Sequence, residues 1–182
     1  MDDAELRFAD CPTTAAEMVI EAPPSAVWPF VCDIQMPAAF SSEFQGGAWL
    51  DGATAPALGA RFRGRNHHPA RGDWETVSTI CEYEPEHVLA WAVGDPAAPA
   101  ARWRFTLVPD GVGTRVTQWV QIGPGESGIS EVIAQMPDKE SRILRRRLAE
   151  HHANMTATLE GVKRLAEDPE RVSSGPGPAD GA

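Results

Sequence analysis

Two adjacent histidine pairs, His67-His68 and His151-His152, are the side chains of this chain best suited to acid–base work. An imidazole titrates near neutrality, so it can take a proton from a carbon acid or return one to a leaving hydroxyl. His68 lies close in sequence to Asp73 and Glu75, and Asn66 stands two residues before it. That set suits enolisation of a polyketone or a dehydration. His68 would move the proton, and Asn66 would donate a hydrogen bond to the developing enolate oxygen. Neighbours on a strand point to opposite faces, so only one residue of the 67–68 pair can face an interior, and parity selects His68. The competing reading leaves His68 in water at the head of the 69–72 turn. His151 and His152 flank the centre of an apolar helical stripe, so either could reach an interior or sit solvated at its edge. A metal site shared by the two pairs is set aside, because the spacing matches no ligand motif and adjacent histidines rarely converge on one ion. Cys11, Cys32 and Cys81 are scattered and odd in number, which suits neither a metal cluster nor a disulfide framework. No nucleophile elbow, phosphate-cradling glycine loop or nucleotide fingerprint is present.

These side chains need elements to hold them. At 3.6 residues per turn, Leu144, Leu148, Met155, Leu159, Val162 and Ala166 fall on one face of a helix over 137–166. Pro137 suits the first helical position, and Asp168-Pro169 is a stop. Such a helix is roughly 40–45 Å long and needs a large apolar surface to lie on. Strands can supply one. They are expected over 16–21, 48–50, 60–68, 74–83, 88–94, 102–108 and 114–122, joined late in the chain by short turns that imply antiparallel hairpins. Two short helices are expected over 24–34, with Val27, Val31 and Ile34 inward, and over 36–42, with Phe40 inward. Residues 123–135 read as a glycine-rich loop with one helical turn near 129–133. Residues 1–14 read as a loose arm, 15–167 as one ligand-binding domain, and 168–182 as a disordered tail.

The side-chain period of two tests which residues face inward. A tight hairpin at 84–87 sets Ile80 opposite Trp91, Glu82 opposite Leu89 and Ser78 opposite Val93. With Val108 opposite Gly113, Phe105 meets Val116 and Trp103 meets Gln118. Phe62 shares its face with Gly64, Asn66 and His68, while Arg61, Arg63 and Arg65 take the other. The inward face is then apolar and aromatic, through Phe62, Trp74, Trp91, Trp103 and Phe105. It carries polar interruptions at Asn66, Thr76, Ser78 and Gln118. Met155, with His151 or His152, would close it from the helix. Buried polar groups without partners are costly in a plain core, whereas an aromatic wall with a few polar groups is what a small-molecule site needs. The competing reading is a sheet face whose polar residues meet water at frayed ends.

Composition narrows the partners. The formal net charge is -10, so polyanions such as nucleic acid or an anionic membrane surface are poor partners. No apolar run reaches the ~18 residues of a membrane span, and no apolar segment follows the acidic start. With few cysteines this fits a cytoplasmic protein, monomeric or homodimeric, with no cofactor and no metal.

The order of elements and three segments resemble the START-like (SRPBCC) superfamily of polyketide cyclase/dehydrase type. The likeness is strongest at 20–33, IEAPPSAVWPFVCD, where a strand breaks at Ala-Pro-Pro and a Val-Trp helix follows. Residues 61–74, RFRGRNHHPARGDW, are similar to the Gly-x-Asn strand and following Trp of actinobacterial members. Residues 85–91, and Trp103 with the run 113–117, match later hairpins, and the whole spans 15–166. The resemblance implies an α+β helix-grip fold: a seven-stranded antiparallel sheet wrapped around a long C-terminal helix, with two short helices closing one end. It also implies a cavity between sheet and helix for a hydrophobic small molecule. The function expected is binding of an aromatic or polyketide-like molecule with cyclisation, aromatisation or dehydration. The alternatives are a carrier or sensor without chemistry, and an accessory protein acting through protein contacts.

Overall fold

A computed structural model describes residues 5–168. Its seven strands form one antiparallel sheet in the order β1-β7-β6-β5-β4-β3-β2. They are β1 (Thr13–Ile20), β2 (Phe44–Trp49), β3 (Arg61–His68), β4 (Gly72–Glu84), β5 (Val88–Val93), β6 (Ala101–Asp110) and β7 (Gly113–Ile122). From β2 to β7 each strand pairs with its successor. β1 lies at the far edge beside β7, so α1 (Pro24–Cys32) and a 3-10 turn at Met36–Ala39 carry the chain across one end of the sheet. Those two segments are the expected end-closing helices. The first stops short of Ile34, and the second is a single tight turn. The sheet wraps around α3 (Glu140–Ala166), which is the expected helix-grip arrangement.

The α3 stripe explains the attachment. Leu144, Met155, Leu159 and Val162 are all but inaccessible, and Met155, Leu159 and Val162 pack with Ile20, Phe105, Val116 and Val120 of the sheet. Each such side chain contributes about 1.5–3 kcal/mol by leaving water. The α-helix begins at Glu140 rather than Pro137, because residues 137–139 form a 3-10 turn after the break at Met136. Before it, α2 (Gly128–Gln135) replaces the expected loop. Ser127 and Ser130 cap it reciprocally, each hydroxyl accepting the other's backbone N–H.

Two registers differ from the parity reading, and β2 is longer than expected, each for a local reason. β2 starts at Phe44 rather than at Ala48 and runs through Gly46-Gly47. Gly46 has φ +122, and the pairing with β3 slips between Phe44 and Gly46. A Cβ on Gly47 would lie 3.2 Å from the Ile34 side chain, so glycine lets the incoming segment lie close. Between β4 and β5 a bulge at Cys81 keeps Ser78 opposite Val93 and Ile80 opposite Trp91, but sets Glu82 opposite Ala90. Tyr83 therefore turns inward beside Leu89 and packs 6.0 Å from Trp28, ring to ring. The β6–β7 turn is Gly111-Val112, so β6 runs two residues and β7 one residue further than expected. Phe105 meets Gln118, and Trp103 meets Val120. A slip of two preserves parity, which is why the inward face survives the wrong register.

The arm is tied down from Leu6 onward. Leu6 N–H donates to the Ser141 hydroxyl at 3.2 Å, and Phe8 N–H donates to the Glu140 carboxylate at 2.7 Å. The outer edge of β1 is also covered. His152 donates from Nδ1 to the Ala15 carbonyl and Lys163 donates to the Val19 carbonyl, both at 3.0 Å. This satisfies backbone groups that an edge strand would otherwise expose. Of the expected tail, residues 169–182 lie outside the described residues.

Candidate functional site

Between sheet and α3 lies a cavity of about 130 Å³. Its aromatic side is built by cross-strand pairs. Trp91 on β5 and Trp103 on β6 are register partners, and their rings stack at 6.3 Å with 11° between planes. Phe62 meets Trp91 edge-on at 5.9 Å, and Phe105 lies 6.1 Å from it. Offset and edge-to-face pairs like these suit the ring quadrupole and make a rigid wall. Ile80, Leu89 and Met155 add aliphatic surface.

The polar groups come from both layers. Asn66, Thr76, Ser78 and Gln118 reach the wall from the sheet. From α3 come His151, Asn154 and Thr158, which with Met155 occupy one face at the i, i+3, i+4, i+7 spacing. His151 is 7% exposed, and its ring stands perpendicular to Trp103 with centroids 5.0 Å apart. Burial pushes its pKa well below the ordinary 6.5, and the Arg147 cation one turn earlier adds to the effect. The imidazole is therefore neutral at pH 7 and can accept or donate a hydrogen bond. Gln118 is 5% exposed, and its Oε1 has no hydrogen-bond partner.

The mouth is charged. Glu43 lines the cavity, and its carboxylate is gripped by Arg147 through two contacts of 2.5 Å. Asn154 Oδ1 accepts from both the backbone N–H and the hydroxyl of Ser42, at 3.0 and 2.9 Å. The segment entering β2 is thus fastened to α3.

Of the residues singled out in sequence, the structure brings Phe62, Asn66, Thr76, Ser78, Trp91, Trp103, Phe105, Gln118, His151 and Met155 to this wall. It leaves three outside. Trp74 keeps its inward parity but sits beyond the cavity near the turn of the β3–β4 hairpin, with the Arg71 guanidinium 4.8 Å above its ring. It lines a separate surface groove with Arg65 and Asp73. His68 also stands past the cavity. Its Nδ1 accepts from Ala70 N–H at 3.2 Å within the turn, and its Nε2 lies 3.6 Å from Glu150. Of its expected carboxylate neighbours, Asp73 instead pairs with His67 on the outer face at 2.7 Å and Glu75 lies 3.6 Å from Arg63. His152 is spent on the β1 edge. The proposed base and its enolate donor are therefore not assembled: Asn66 is at the wall and His68 is not. Sequence reasoning missed Glu43, Asn154 and Thr158. The latter two carry a signal, since they repeat at helical spacing from His151. Glu43 sits in a connector without periodicity. Among the described residues no group of His, Cys, Asp and Glu is placed to hold a metal ion, and no helix is long and apolar enough to cross a membrane.

A family profile described as "Polyketide cyclase / dehydrase and lipid transport" matches residues 12–167. No curated protein matches the sequence. Among solved structures, a Polyketide_cyc-like protein of Corynebacterium glutamicum is 28% identical, with a TM-score of 0.60 over 89% of this chain and 95% of that one. A protein of Thermus thermophilus superposes with a TM-score of 0.59 at 17% identity, covering 90% of this chain and 100% of its own. An aromatase/cyclase of a Streptomyces species gives 0.60 at 16% identity, covering 86% and 96%. At those last two identities the likeness is one of fold.

Proposed function

Because the chain belongs to the polyketide cyclase/dehydrase and lipid transport family, we propose that its cavity binds a hydrophobic, aromatic or polyketide-like small molecule. The observation that carries this reading is the wall itself. Stacked Trp91 and Trp103, with Phe62 and Phe105, form one side of a space that polar side chains from sheet and helix also line. Such a surface holds a ring by burial and stacking, while the polar groups fix its orientation.

The same reading extends to chemistry through His151. A neutral imidazole inside an apolar pocket can take a proton as an enol forms and return it as water leaves, which is what cyclisation with dehydration requires. The wall would hold the chain folded so that reacting carbons meet, and that positioning supplies much of the acceleration. A carrier without chemistry is the second reading. It draws support from the separation of His68 from Asn66, which leaves the expected acid–base set unbuilt.

The test is native mass spectrometry of the protein purified from its own host, with identification of any co-purified molecule. That molecule is then offered to the native protein and to His151→Gln. Turnover lost in the variant with binding kept supports the catalytic reading. Binding without turnover in either protein supports the carrier. An empty protein whose tryptophan fluorescence ignores hydrophobic probes overturns the cavity reading and favours action through protein contacts.

A further inference from the structure

The two flanks of α3 are sealed against the sheet in different ways. Toward β1 and β7 the seam is apolar. Met155, Leu159 and Val162 pack there with Ile20, Val116 and Val120, all buried, and opening it would return that surface to water. Toward β2 the seam is the short run Ser41-Ser42-Glu43, and the ties that Ser42 and Glu43 make to α3 are polar. Ser42 donates its backbone N–H and its hydroxyl to Asn154 Oδ1 at 3.0 and 2.9 Å, and both carboxylate oxygens of Glu43 accept from Arg147. Water replaces contacts of this kind as they part, and separating charges are rehydrated, so this seam is the easier one to open.

We propose that Ser41-Ser42-Glu43 is the door of the cavity: a strap, latched by Asn154 and Arg147, that lifts from α3 to admit and release the ligand. The inference rests on the binding reading above and adds how that site is reached and regulated.

A door is needed because the wall is covered. Phe62, Ser78, Phe105, His151 and Met155 line the cavity yet are all buried, so a ring reaches them only when an element moves. The strap lies against that space: Ser41, Glu43 and the following Phe44 line it, as does Asn154 on α3. Its construction suits motion as a unit. The Ser41 hydroxyl accepts from the backbone N–H groups of Glu43 and Phe44 at 3.1 and 3.0 Å, which ties the run into one compact turn. Two backbone ties hold it to β3. The Glu43 carbonyl accepts from His67 N–H at 2.9 Å, and Phe44 pairs with Asn66. Beyond Phe44 the ladder slips and resumes at Gly46, whose φ of +122 suits glycine. The strap can therefore turn about its β3 edge without dragging the rest of β2.

The experiment measures how fast a single-ring probe enters and leaves. A cavity of about 130 Å³ is close to the ~150 Å³ engineered apolar cavity that takes benzene. Iodobenzene fits that class and quenches tryptophan fluorescence through its heavy atom, so stopped-flow mixing reads both rates. Ser42→Cys and Asn154→Cys are combined, so that oxidation fastens the strap to α3 and a reductant frees it. The native protein, with free Cys11, Cys32 and Cys81, is carried through the same oxidation as the control. The oxidised double variant is expected to exchange the probe about tenfold or more slowly than its own reduced form, and the reduced form faster than the native protein. Asn154→Ala, which needs no disulfide, is expected to raise the entry rate about threefold or more, whereas a lost ligand contact alone would speed only exit. Should the disulfide not form, that variant decides alone. Equal rates in the oxidised and reduced double variant, or an unchanged entry rate in Asn154→Ala, would overturn the door and leave the cavity reading intact. Iodobenzene quenching the native protein no more than it quenches free tryptophan would overturn both.

Discussion

Arg147 on α3 and Glu43 at the head of β2 form a bidentate pair, both contacts at 2.5 Å, with only 16% and 12% of their side chains exposed. The fork of the guanidinium matches the carboxylate, and the low exposure spares the pair most solvent screening. Arg147→Met is expected to lower the unfolding free energy by roughly 3 kcal/mol, because it leaves the covered Glu43 carboxylate unpaired, and Glu43→Gln by less, because Arg147 keeps Glu150 at 3.4 Å. The double variant should lose clearly less than the sum. Urea unfolding of the four proteins gives the coupling. A coupling below about 0.5 kcal/mol would place the pair with ordinary surface ion pairs.

His151 should make stability depend on pH in a defined window. In the folded protein its pKa lies below the ordinary 6.5, through burial first and Arg147 second. The unfolded chain therefore binds this proton at a higher pH than the folded one. Stability from this group is complete above about pH 6.5 and is lost as pH falls toward the lowered folded value. The slope is at most about 1.4 kcal/mol per pH unit for one proton. Glu150 is also held low: burial would raise its pKa, but the Arg146 hydrogen bond, then Arg147 and His68, outweigh it. Its loss begins only below about the ordinary 4.5, so of these two groups only His151 loses stability between pH 6.5 and 4.5. The urea midpoint of His151→Gln should fall less steeply than that of the native protein between pH 6.5 and 5. Equal slopes would assign the proton elsewhere.

Position, rather than residue type, separates His68 from His151. His68 shares the inward parity of Phe62 and Asn66, yet its turn hydrogen bond with Ala70 and its proximity to Glu150 hold it outside the cavity. His68→Ala is expected to leave the affinity for an apolar probe within about twofold, whereas His151→Ala changes it more than fivefold by removing an edge-on partner of Trp103. Titration of both variants with one fluorescent probe checks this. A loss of affinity in His68→Ala as large as that in His151→Ala would show that the turn reaches the ligand.

Parity carried most of the candidate site, and its failures have physical causes. Alternation along β3, β4 and β7 places Phe62, Ser78 and Gln118 inward even though the β6–β7 register was two residues off, since an even slip leaves faces unchanged. Parity says nothing about depth, so Trp74 and His68 share the face of the wall but lie past its end. Nor does it see a bulge, and Cys81 alone exchanges Glu82 for Tyr83 on the inner face. On α3, the apolar stripe located the buried side but excluded polar members by construction, which hid Thr158 and Asn154. Glu43 was illegible because its position depends on Arg147, 104 residues away.

Gly161 tests how closely the end-closing segment sits on α3. Glycine inside an exposed helix costs about 1 kcal/mol relative to alanine, so Gly161→Ala should stabilise the helix if nothing else intervened. Here a Cβ would run into the Phe40 ring, and its nearest contacts include Cγ at 2.6 Å, an atom near the Phe40 backbone rather than the far end of a flexible side chain. Overpacking of this kind costs about 1–3 kcal/mol and outweighs the propensity gain. Phe40 is further held by the Arg164 guanidinium, 5.5 Å above its ring. Gly161→Ala is therefore expected to be destabilising in thermal or urea unfolding. Placed on a Phe40→Ala background, where the clash is absent, the same substitution should become neutral or stabilising. A change of sign between the two backgrounds identifies the Phe40 contact as the reason for glycine. An equal loss in both would refute it.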